Sequence, residues 1–419
     1  MFTDASHAEW VAALLFGLAL VHTFSTQLFA NLAHHSKHHS GFWHLLAEVE
    51  VVFGLWAFVL IASLFLLSSP SEAIEYLESR NFTEPLFVFA IMVVAASRPI
   101  LVTVQNLTLR VASLLPVSSS VGVYFLCLSL IPLLGSFVTE PAAMTLAALL
   151  LRDRYFDQAL SNRLKYATLG VLLVNISIGG TLTHFAAPPV LMVAGVWQWD
   201  TPFMLSNFGW KAAVAVLINA TAITWLFRRE LTALKVAETS TTQVPSVVAG
   251  VHLAFLVGVI VFAHHPPMFL GLLLFFLGYT EAYKAHQDRL ILREGLLVAF
   301  FLAGLVVLGG LQRWWLQPTL TGVDDTALFF LATGLTAITD NAALTYLASL
   351  VEGTSAEFKY AIVAGAVTGG GLTVIANAPN PAGLAILKDS FKDGSVGAGG
   401  LFLAALAPTA VAGSLFLLF

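Results

Sequence analysis

Apolar runs long enough to cross a lipid bilayer recur from one end of the chain to the other. A transmembrane helix needs about 20 consecutive apolar residues, and such runs leave little room for a soluble domain. Only 10% of the 419 residues are charged, whereas soluble domains carry about 25%. The sequence therefore predicts an all-α polytopic membrane protein whose first partner is the lipid bilayer.

The rest of the composition excludes several functions. The net charge is −5 and no basic block is present, so a nucleic-acid partner is not expected. The one cysteine, Cys127, lies in an apolar run, so neither an intrachain disulfide nor a thiolate metal site is expected. The first apolar run is too long for a cleaved signal and lacks a basic leader, so we interpret it as a retained helix.

Hydropathy predicts eight continuous spans and four less regular segments. The continuous spans are 8–31, 44–69, 84–103, 207–227, 246–263, 267–283, 295–312 and 398–419. Among the irregular segments, 116–151 and 326–351 each contain an acid in an apolar run. The other two, 164–196 and 359–387, are interrupted by stretches rich in glycine and proline.

The two acids occur in matching contexts. "VTEPAAMTLAALL" (138–150) places Glu140 after Thr139, and "ITDNAALTYLASL" (338–350) places Asp340 after Thr339. A charge at the bilayer centre costs about 2.5–3.5 kcal/mol even on mild insertion scales, so such acids are usually functional. The alternative is an acid near the membrane surface or one that pairs with an arginine, such as Arg98 or Arg110.

A second internal match follows each acid. "SIGGTLTHFAAPPVLM" (177–192) corresponds to "TGGGLTVIANAPNPAG" (368–383), with aligned glycine pairs and prolines. Glycine and proline end regular helix and free backbone groups. In a membrane those groups must line a cavity or a bound ion. The alternative for the glycines is close helix packing, although that needs neither Asn nor Pro.

Loop charges predict the topology, because basic loops stay in the cytoplasm. Basic residues are concentrated in the loop after Leu151, after the 207–227 span and after the 267–283 span. All three loops share one side only if 116–151 and 326–351 are re-entrant hairpins. The N-terminus is then outside. Residues 1–227 and 246–419 become two inverted-topology repeats, each with a hairpin and a broken helix, joined by a cytoplasmic linker at 228–245.

Two of these stretches resemble a known group of transporters. "TDNAALTYL" (339–347) and "GGGLTVIANAPNPAG" (369–383) look like the hairpin and second broken helix of the ion transporter superfamily. That group includes arsenite permeases, dicarboxylate/sodium symporters and D-type sodium/proton antiporters. The chain is most similar to a family of sodium/proton antiporters. The resemblance implies a homodimer in a bacterial inner membrane, with a transport domain that moves against a scaffold. The chain departs from a symmetrical pattern at Pro141, where a matching hairpin would have asparagine.

The expected function is antiport of a monovalent cation, Na⁺, against protons by alternating access, with no cofactor. Hard cations prefer oxygen ligands and can compete with a proton for one carboxylate. Asp340 and Glu140 are the predicted cation-binding carboxylates. The other predicted site residues are Thr139, Gly179, Gly180, Thr181, Thr183, Thr339, Asn341, Gly370, Gly371, Thr373, Asn377 and Asn380.

Two other functions are weighed against antiport. A sodium-coupled dicarboxylate or oxyanion transporter of the same superfamily would need basic or hydroxyl-rich hairpin tips, and here both tips carry acids. An intramembrane enzyme is not expected, because the sequence contains neither a His-Glu-x-x-His motif nor two matched Asp motifs.

A cluster of histidines leaves a separate question open. His34, His35, His38 and His39 lie close to His44 and Glu48 at a predicted cytoplasmic helix end. They are either a solvated terminus or a metal or pH sensor.

Overall fold

The computed structural model describes residues 5–36, 39–158, 160–234 and 243–419. Every regular element in these ranges is helical, and they contain no strand. Six helices are long and apolar enough to cross a membrane, and eight segments qualify if two bent helix pairs each count as one span. The chain is therefore an all-α polytopic integral membrane protein, as the sequence predicts.

The helices before residue 235 contain the first hairpin and the first broken helix. They are α1 His7–His35, α2 Ser40–Ala47, α3 Val49–Leu67, α4 Pro70–Glu78, α5 Thr83–Ala95, α6 Arg98–Leu114, α7 Ser119–Leu128, α8 Leu130–Val138, α9 Glu140–Leu151, α10 Asn162–Gly179, α11 Pro188–Trp197, α12 Thr201–Met204, α13 Trp210–Leu226 and α14 Arg228–Ala233. Short π-helical or 3₁₀ segments occur at Arg152–Phe156, Gly180–Leu182 and Leu205–Gly209.

The helices after residue 242 contain the second hairpin and the second broken helix. They are α15 Ser246–Val261, α16 Pro266–Ala282, α17 Leu292–Gly309, α18 Arg313–Leu320, α19 Asp325–Thr336, α20 Asn341–Ser349, α21 Ala356–Gly369, α22 Asn380–Leu387 and α23 Ala398–Leu418. Short 3₁₀ segments occur at Lys284–His286, Lys388–Ser390 and Lys392–Gly394. Residues 235–242 of the predicted linker lie outside the described residues.

Two predicted spans are not continuous, and here the sequence interpretation was wrong. The segment 84–103 is divided into α5 and α6, which are bent by 64°. Ser97 is extended, with ψ 143°, and Pro99 lies in the first turn of α6. Proline has no N–H and a fixed φ, so it favours the start of a new helix there. The segment 44–69 is likewise interrupted at Glu48, whose backbone is extended with ψ 115°.

Both predicted hairpins turn back on themselves. In the first, the Tyr155 hydroxyl donates to the Ser120 carbonyl at 2.5 Å, so the end of α9 lies beside the start of α7. In the second, Gln317 just before α19 exchanges hydrogen bonds of 2.9 and 3.1 Å with the backbone of Glu352 just after α20. The chain therefore enters and leaves each hairpin at the same end.

The hairpins and broken helices of the two halves pack crosswise. Helix α9 contacts α22, and α20 contacts α11, so each return leg meets the far part of the other half's broken helix. Helices α10 and α21 cross where the Ser177 hydroxyl donates to the Val367 carbonyl at 2.7 Å. An inverted repeat would produce this pairing, and the repeat itself stays a prediction.

A second group of helices packs beside the hairpins. Helix α17 lies against α3 and α5, and α16 lies against α5 and α15. Gly304 of α17 is so close to the backbone of Phe53 and Gly54 in α3 that a side chain at residue 304 would overlap it. Residues of α3, α5 and α17 line a cavity together with Pro141 at the tip of the first hairpin.

Candidate ion-binding site

The first hairpin turns at Thr139 and Glu140. Thr139 has φ 71° and ψ 150°, a region that β-branched residues rarely adopt. This unusual backbone reverses the chain between α8 and α9 and brings Glu140 to the first turn of α9. The Glu140 side chain is completely buried, and the Thr139 hydroxyl is buried with no partner among the described residues.

Glu140 is held by a residue of the other half of the chain. The side-chain amide of Asn377, in the second break, donates to Oε2 of Glu140 at 2.7 Å. The second carboxylate oxygen, Oε1, accepts no hydrogen bond from the described residues, and neither does Oδ1 of Asn377. The asparagine that the first hairpin lacks beside Pro141 is thus supplied across the interface between the halves.

The second hairpin turns at Asp340, which caps α20. Its Oδ1 accepts from the amides of Ala342 and Ala343 at 2.8 and 3.1 Å. The next residue, Asn341, donates its backbone amide to the Ala376 carbonyl at 3.1 Å, which ties this tip to the second break. The Asn341 side chain is buried, and neither its nitrogen nor its oxygen has a partner among the described residues.

Polar side chains hold the second break in place. The Thr373 hydroxyl donates to the Ala337 carbonyl at 2.8 Å. The Asn380 amide donates to the carbonyls of Gly370 and Thr373 at 2.7 and 2.9 Å. The carbonyl oxygen of the Asn380 side chain is buried and unpaired among the described residues. The Asn380 side chain therefore pairs two carbonyls of the break through its nitrogen and leaves its own oxygen free inside the protein.

The first break is held by a residue that the sequence interpretation missed. Ser136 of α8 donates to the Gly179 carbonyl at 2.7 Å and accepts from the Leu182 amide at 2.9 Å. The Thr183 hydroxyl donates to the Ser136 carbonyl at 2.6 Å, and Thr181 donates to Ile178 at 2.7 Å. A small hydroxyl residue in an apolar helix carries no sequence signal that distinguishes this role.

The aligned glycines lie at close approaches between elements. A Cβ at Gly179 would be 2.7 Å from the Pro132 carbonyl, and one at Gly180 would overlap Oε1 of Glu140. A Cβ at Gly370 would overlap the Ser177 hydroxyl and lie 2.9 Å from Nδ2 of Asn341, and one at Gly371 would overlap Val174. The glycines therefore fit both interpretations of the sequence. They allow close helix packing, and they also leave space beside Glu140 and Asn341.

Buried oxygens without a partner among the described residues occur at the two hairpin tips and in the second break, which the Glu140–Asn377 and Asn341–Ala376 hydrogen bonds join. They belong to Thr139, Glu140, Asn341, Asn377 and Asn380, all of which are at most 2% exposed. Buried polar atoms are normally hydrogen-bonded, so several unpaired oxygens in one place indicate a site for a ligand. Carboxylate, amide and hydroxyl oxygens are the ligands that hard cations prefer. This group fits a cation such as Na⁺.

Thr339 and Asp340 lie at the edge of this group. Both are partly buried, and the Thr339 hydroxyl donates to the Leu335 carbonyl at 2.9 Å. The Asp340 carboxylate interacts electrostatically with Glu140 and with Glu50 of α3. It therefore belongs to the same group of acids as these two residues.

A cavity of about 480 Å³, which we name the charged cavity, reaches the tip of the first hairpin and the second break. Its walls include Pro141 from the first hairpin, Pro379 from the second break and charged residues of the neighbouring helices. Arg98 pairs with Asp288 at 3.4 Å and Arg293 with Glu48 at 2.9 Å. Arg289 lies 3.9 Å from Glu294.

The charged cavity contains one acid that the sequence interpretation undervalued. Of the four acids that line it, Glu50 alone has no ion pair with a described residue. Glu50 lies in the first turn of α3, on the wall of the charged cavity, and it is not among the predicted site residues. Arg98 pairs with Asp288 and exposed Arg110 pairs with no described acid, so neither arginine neutralises Asp340 or Glu140.

The histidine cluster does not form a metal site in the part of the chain that the structure describes. His38 lies outside the described residues. The remaining residues contain no group of three or more His, Cys, Asp or Glu side chains that could hold a metal ion. The rings of His34 and His44 meet edge to face with centroids 5.9 Å apart.

A polytopic helical chain that buries a carboxylate between two hairpins and two broken helices belongs to the class of membrane transporters. The particular family follows from comparison with protein families. Residues 7–419 match the family described as "Putative Na+/H+ antiporter", and the chain belongs to that family. Membership indicates a cation/proton antiporter rather than an enzyme. A search of curated proteins found no match.

Proposed function

We propose that this protein exchanges Na⁺ for protons by alternating access, with Asp340 and Glu140 as the carboxylates that bind either ion. The observation that carries the proposal is the buried Glu140–Asn377 pair, together with the buried, unpaired oxygens that both halves contribute. Neither half alone contains the complete group. The hairpins and broken helices of both halves therefore have to move together as one body, and their movement against the neighbouring helices would expose the site to either side, as exchange requires.

The chemistry follows from competition for the same oxygens. A carboxylate removed from water holds a proton more readily, and a bound cation can replace that proton. In this proposal the ion enters through the charged cavity beside Pro141 and Pro379, and Asp340 and Glu140 both bind it. The amide oxygens of Asn341, Asn377 and Asn380 and the hydroxyl of Thr139 complete the coordination. No resident cofactor takes part.

The proposal includes the architecture in which this exchange takes place. Residues 1–227 and 246–419 form inverted repeats, with the hairpins and broken helices as a moving body and α1, α3, α5 and α15–α17 as a scaffold. The protein works as a homodimer in a bacterial inner membrane, with its N-terminus outside. In that orientation the charged cavity opens to the cytoplasm, and the proposal assigns this conformation to the inward-facing state of the cycle.

The anion-transport alternative has less support. A sodium-coupled carrier of dicarboxylates or oxyanions would need a free cationic group near the site. Arg98, Arg289 and Arg293 all line the charged cavity, and each lies within ion-pair distance of an acid. The cavity also has four acids against these three arginines, which favours a cation.

The test is a proton-movement assay in proteoliposomes with an internal pH dye. Addition of Na⁺ or Li⁺ should dissipate a proton gradient with the native protein and with Glu281→Gln, whose acid is exposed and away from the site. Asp340→Asn should abolish the response. If active, correctly inserted protein does not respond to any monovalent cation, the proposal fails, and dicarboxylates and oxyanions become the substrates to test.

A further inference from the structure

An apolar groove lies at the C-terminal end of α13, between this helix and α7. It encloses about 550 Å³, and its walls include Val121 and Phe125 of α7 and Thr221 and Trp225 of α13. A second cavity of about 490 Å³ shares Thr221 and Trp225 and continues along α13 to Val214. Together they form the feature that we name the α13 groove.

The α13 groove is long enough for a lipid chain. Residues 214–228 correspond to a length of roughly 21 Å at about 1.5 Å per residue. Half of the hydrocarbon core of a bilayer measures about 15 Å. The groove therefore extends over the depth of one leaflet.

One end of the α13 groove carries an uncompensated positive charge. The Arg228 guanidinium lies over the Trp225 ring, 5.2 Å from its centroid, and forms no ion pair with a described residue. The nearby acid Glu230 is occupied, because it accepts from the amide and the hydroxyl of Ser161 at 2.6 and 2.9 Å. Arg228 is thus available to bind an anion.

The N-terminus of α7 points into the same end of the groove. This 10-residue helix begins at Ser119, and Ser118 lines the groove without capping the helix through its side chain. The first amides of a helix lack intrahelical partners and attract anions such as phosphate. The Ser120 hydroxyl donates to the Leu231 carbonyl at 2.9 Å, which fixes α14, and with it Arg228, beside this helix end.

A buried hydroxyl gives independent evidence for a ligand. Thr224 lines the α13 groove and is only 9% exposed, and its hydroxyl has no partner among the described residues. A buried polar atom of this kind normally has a hydrogen-bond partner. The groove thus combines a cationic end, free helix amides, an unpaired hydroxyl and an apolar channel.

We propose that the α13 groove binds an anionic phospholipid. Its phosphate lies between Arg228 and the N-terminus of α7, Thr224 donates to the glycerol or ester oxygens, and an acyl chain follows α13. A free phosphate would leave the apolar channel uncovered. A second copy of this chain in a twofold dimer would present the same surface, so two Arg228 side chains would approach each other. An anionic lipid matches both the positive charge at the end of the α13 groove and the elongated apolar shape of its channel.

The test is native mass spectrometry of the detergent-solubilised protein with phosphatidylglycerol and phosphatidylcholine of the same acyl composition. Native protein should retain phosphatidylglycerol preferentially. Arg228→Gln should reduce that retention about tenfold, as expected for a lost charged hydrogen bond. The matched control is Arg229→Gln, which removes a neighbouring arginine that does not line the groove. Val121→Trp, which fills the channel and keeps the charge, should also abolish retention.

Several results would overturn the proposal. Equal retention of the two lipids would show that the groove does not select an anionic headgroup. Equal losses in the two arginine variants would show that retention depends on the overall positive charge rather than on Arg228. Displacement of the lipid by glycerol phosphate alone would indicate a phosphate site without a lipid channel. A change of oligomeric state in Arg228→Gln with unchanged lipid retention would indicate a protein interface.

Discussion

Glu140 has no exposed surface, and its one hydrogen-bond donor among the described residues is Asn377, 237 positions away in the sequence. A carboxylate in this position is costly for folding when it is ionised and has no cation. We therefore infer that Glu140 is kept at this position for its function and not for stability. The amide of Asn377 orients one carboxylate oxygen and leaves the other free for an ion.

Replacement of Glu140 by glutamine separates the cost of burying a charge from the role of that charge in binding the cation. We expect Glu140→Gln to abolish Na⁺-dependent proton movement in proteoliposomes, because no charge remains to bind the cation. The midpoint of thermal unfolding should not fall, because a neutral amide of the same shape accepts the same bond from Asn377 without a buried charge. The control is Glu357→Gln at the start of α21, and full exchange by Glu140→Gln would contradict the assignment.

Thr139 carries backbone strain at the tip of the first hairpin. With φ 71° and ψ 150°, it occupies a region that glycine tolerates far better. We expect Thr139→Gly to raise the free energy of unfolding by about 1 kcal/mol and to weaken exchange, because its buried hydroxyl is lost. Thr139→Ser keeps the hydroxyl and should retain exchange. Chemical unfolding and the dye assay together measure both effects, and a destabilised Thr139→Gly protein would refute the strain argument.

At the scale of elements, the first broken helix leaves space for the acid of the first hairpin at Gly180. A methyl group there would overlap Oε1 of Glu140. We therefore expect Gly180→Ala to reduce exchange at least tenfold while the protein still inserts and folds. Gly278→Ala in α16 is the matched control, since nothing lies within 4 Å of its added methyl group. Equal exchange by both variants in the dye assay would show that the break does not shape the site.

The elements were predicted from the sequence to different degrees. Acids, glycines and prolines in apolar runs are rare enough to mark both hairpins and both breaks, and the basic loops indicated that each hairpin returns to its own side. The bend at Ser97 was missed because a hydropathy average runs smoothly over a single proline. Asn377 was predicted as a site residue, but its hydrogen bond with Glu140 and the role of Ser136 could not be predicted, because they depend on which segments meet in space.

At the scale of the whole molecule, the charged cavity reaches Pro141 at the tip of the first hairpin and Pro379 in the second break. Ala382 of α22 lines this cavity and is exposed, whereas Ser71 of α4 lies near the predicted outer end. In oriented vesicles, we expect a membrane-impermeant maleimide to label Ala382→Cys from the cytoplasmic side and Ser71→Cys from the outer side. Saturating Na⁺ should change the labelling rate of Ala382→Cys alone. Labelling of both residues from one side would refute the predicted topology.

Cys127 lies in α7 with no exposed surface, and it is the one thiol of the chain. Thiol reagents applied to the folded protein should therefore find no native target. Spin labels or fluorophores can be attached in pairs, one on the hairpins and one on α3 or α17, without first removing any natural cysteine. The distance between such labels in the presence of Na⁺ or at low pH would report directly whether the two bodies move.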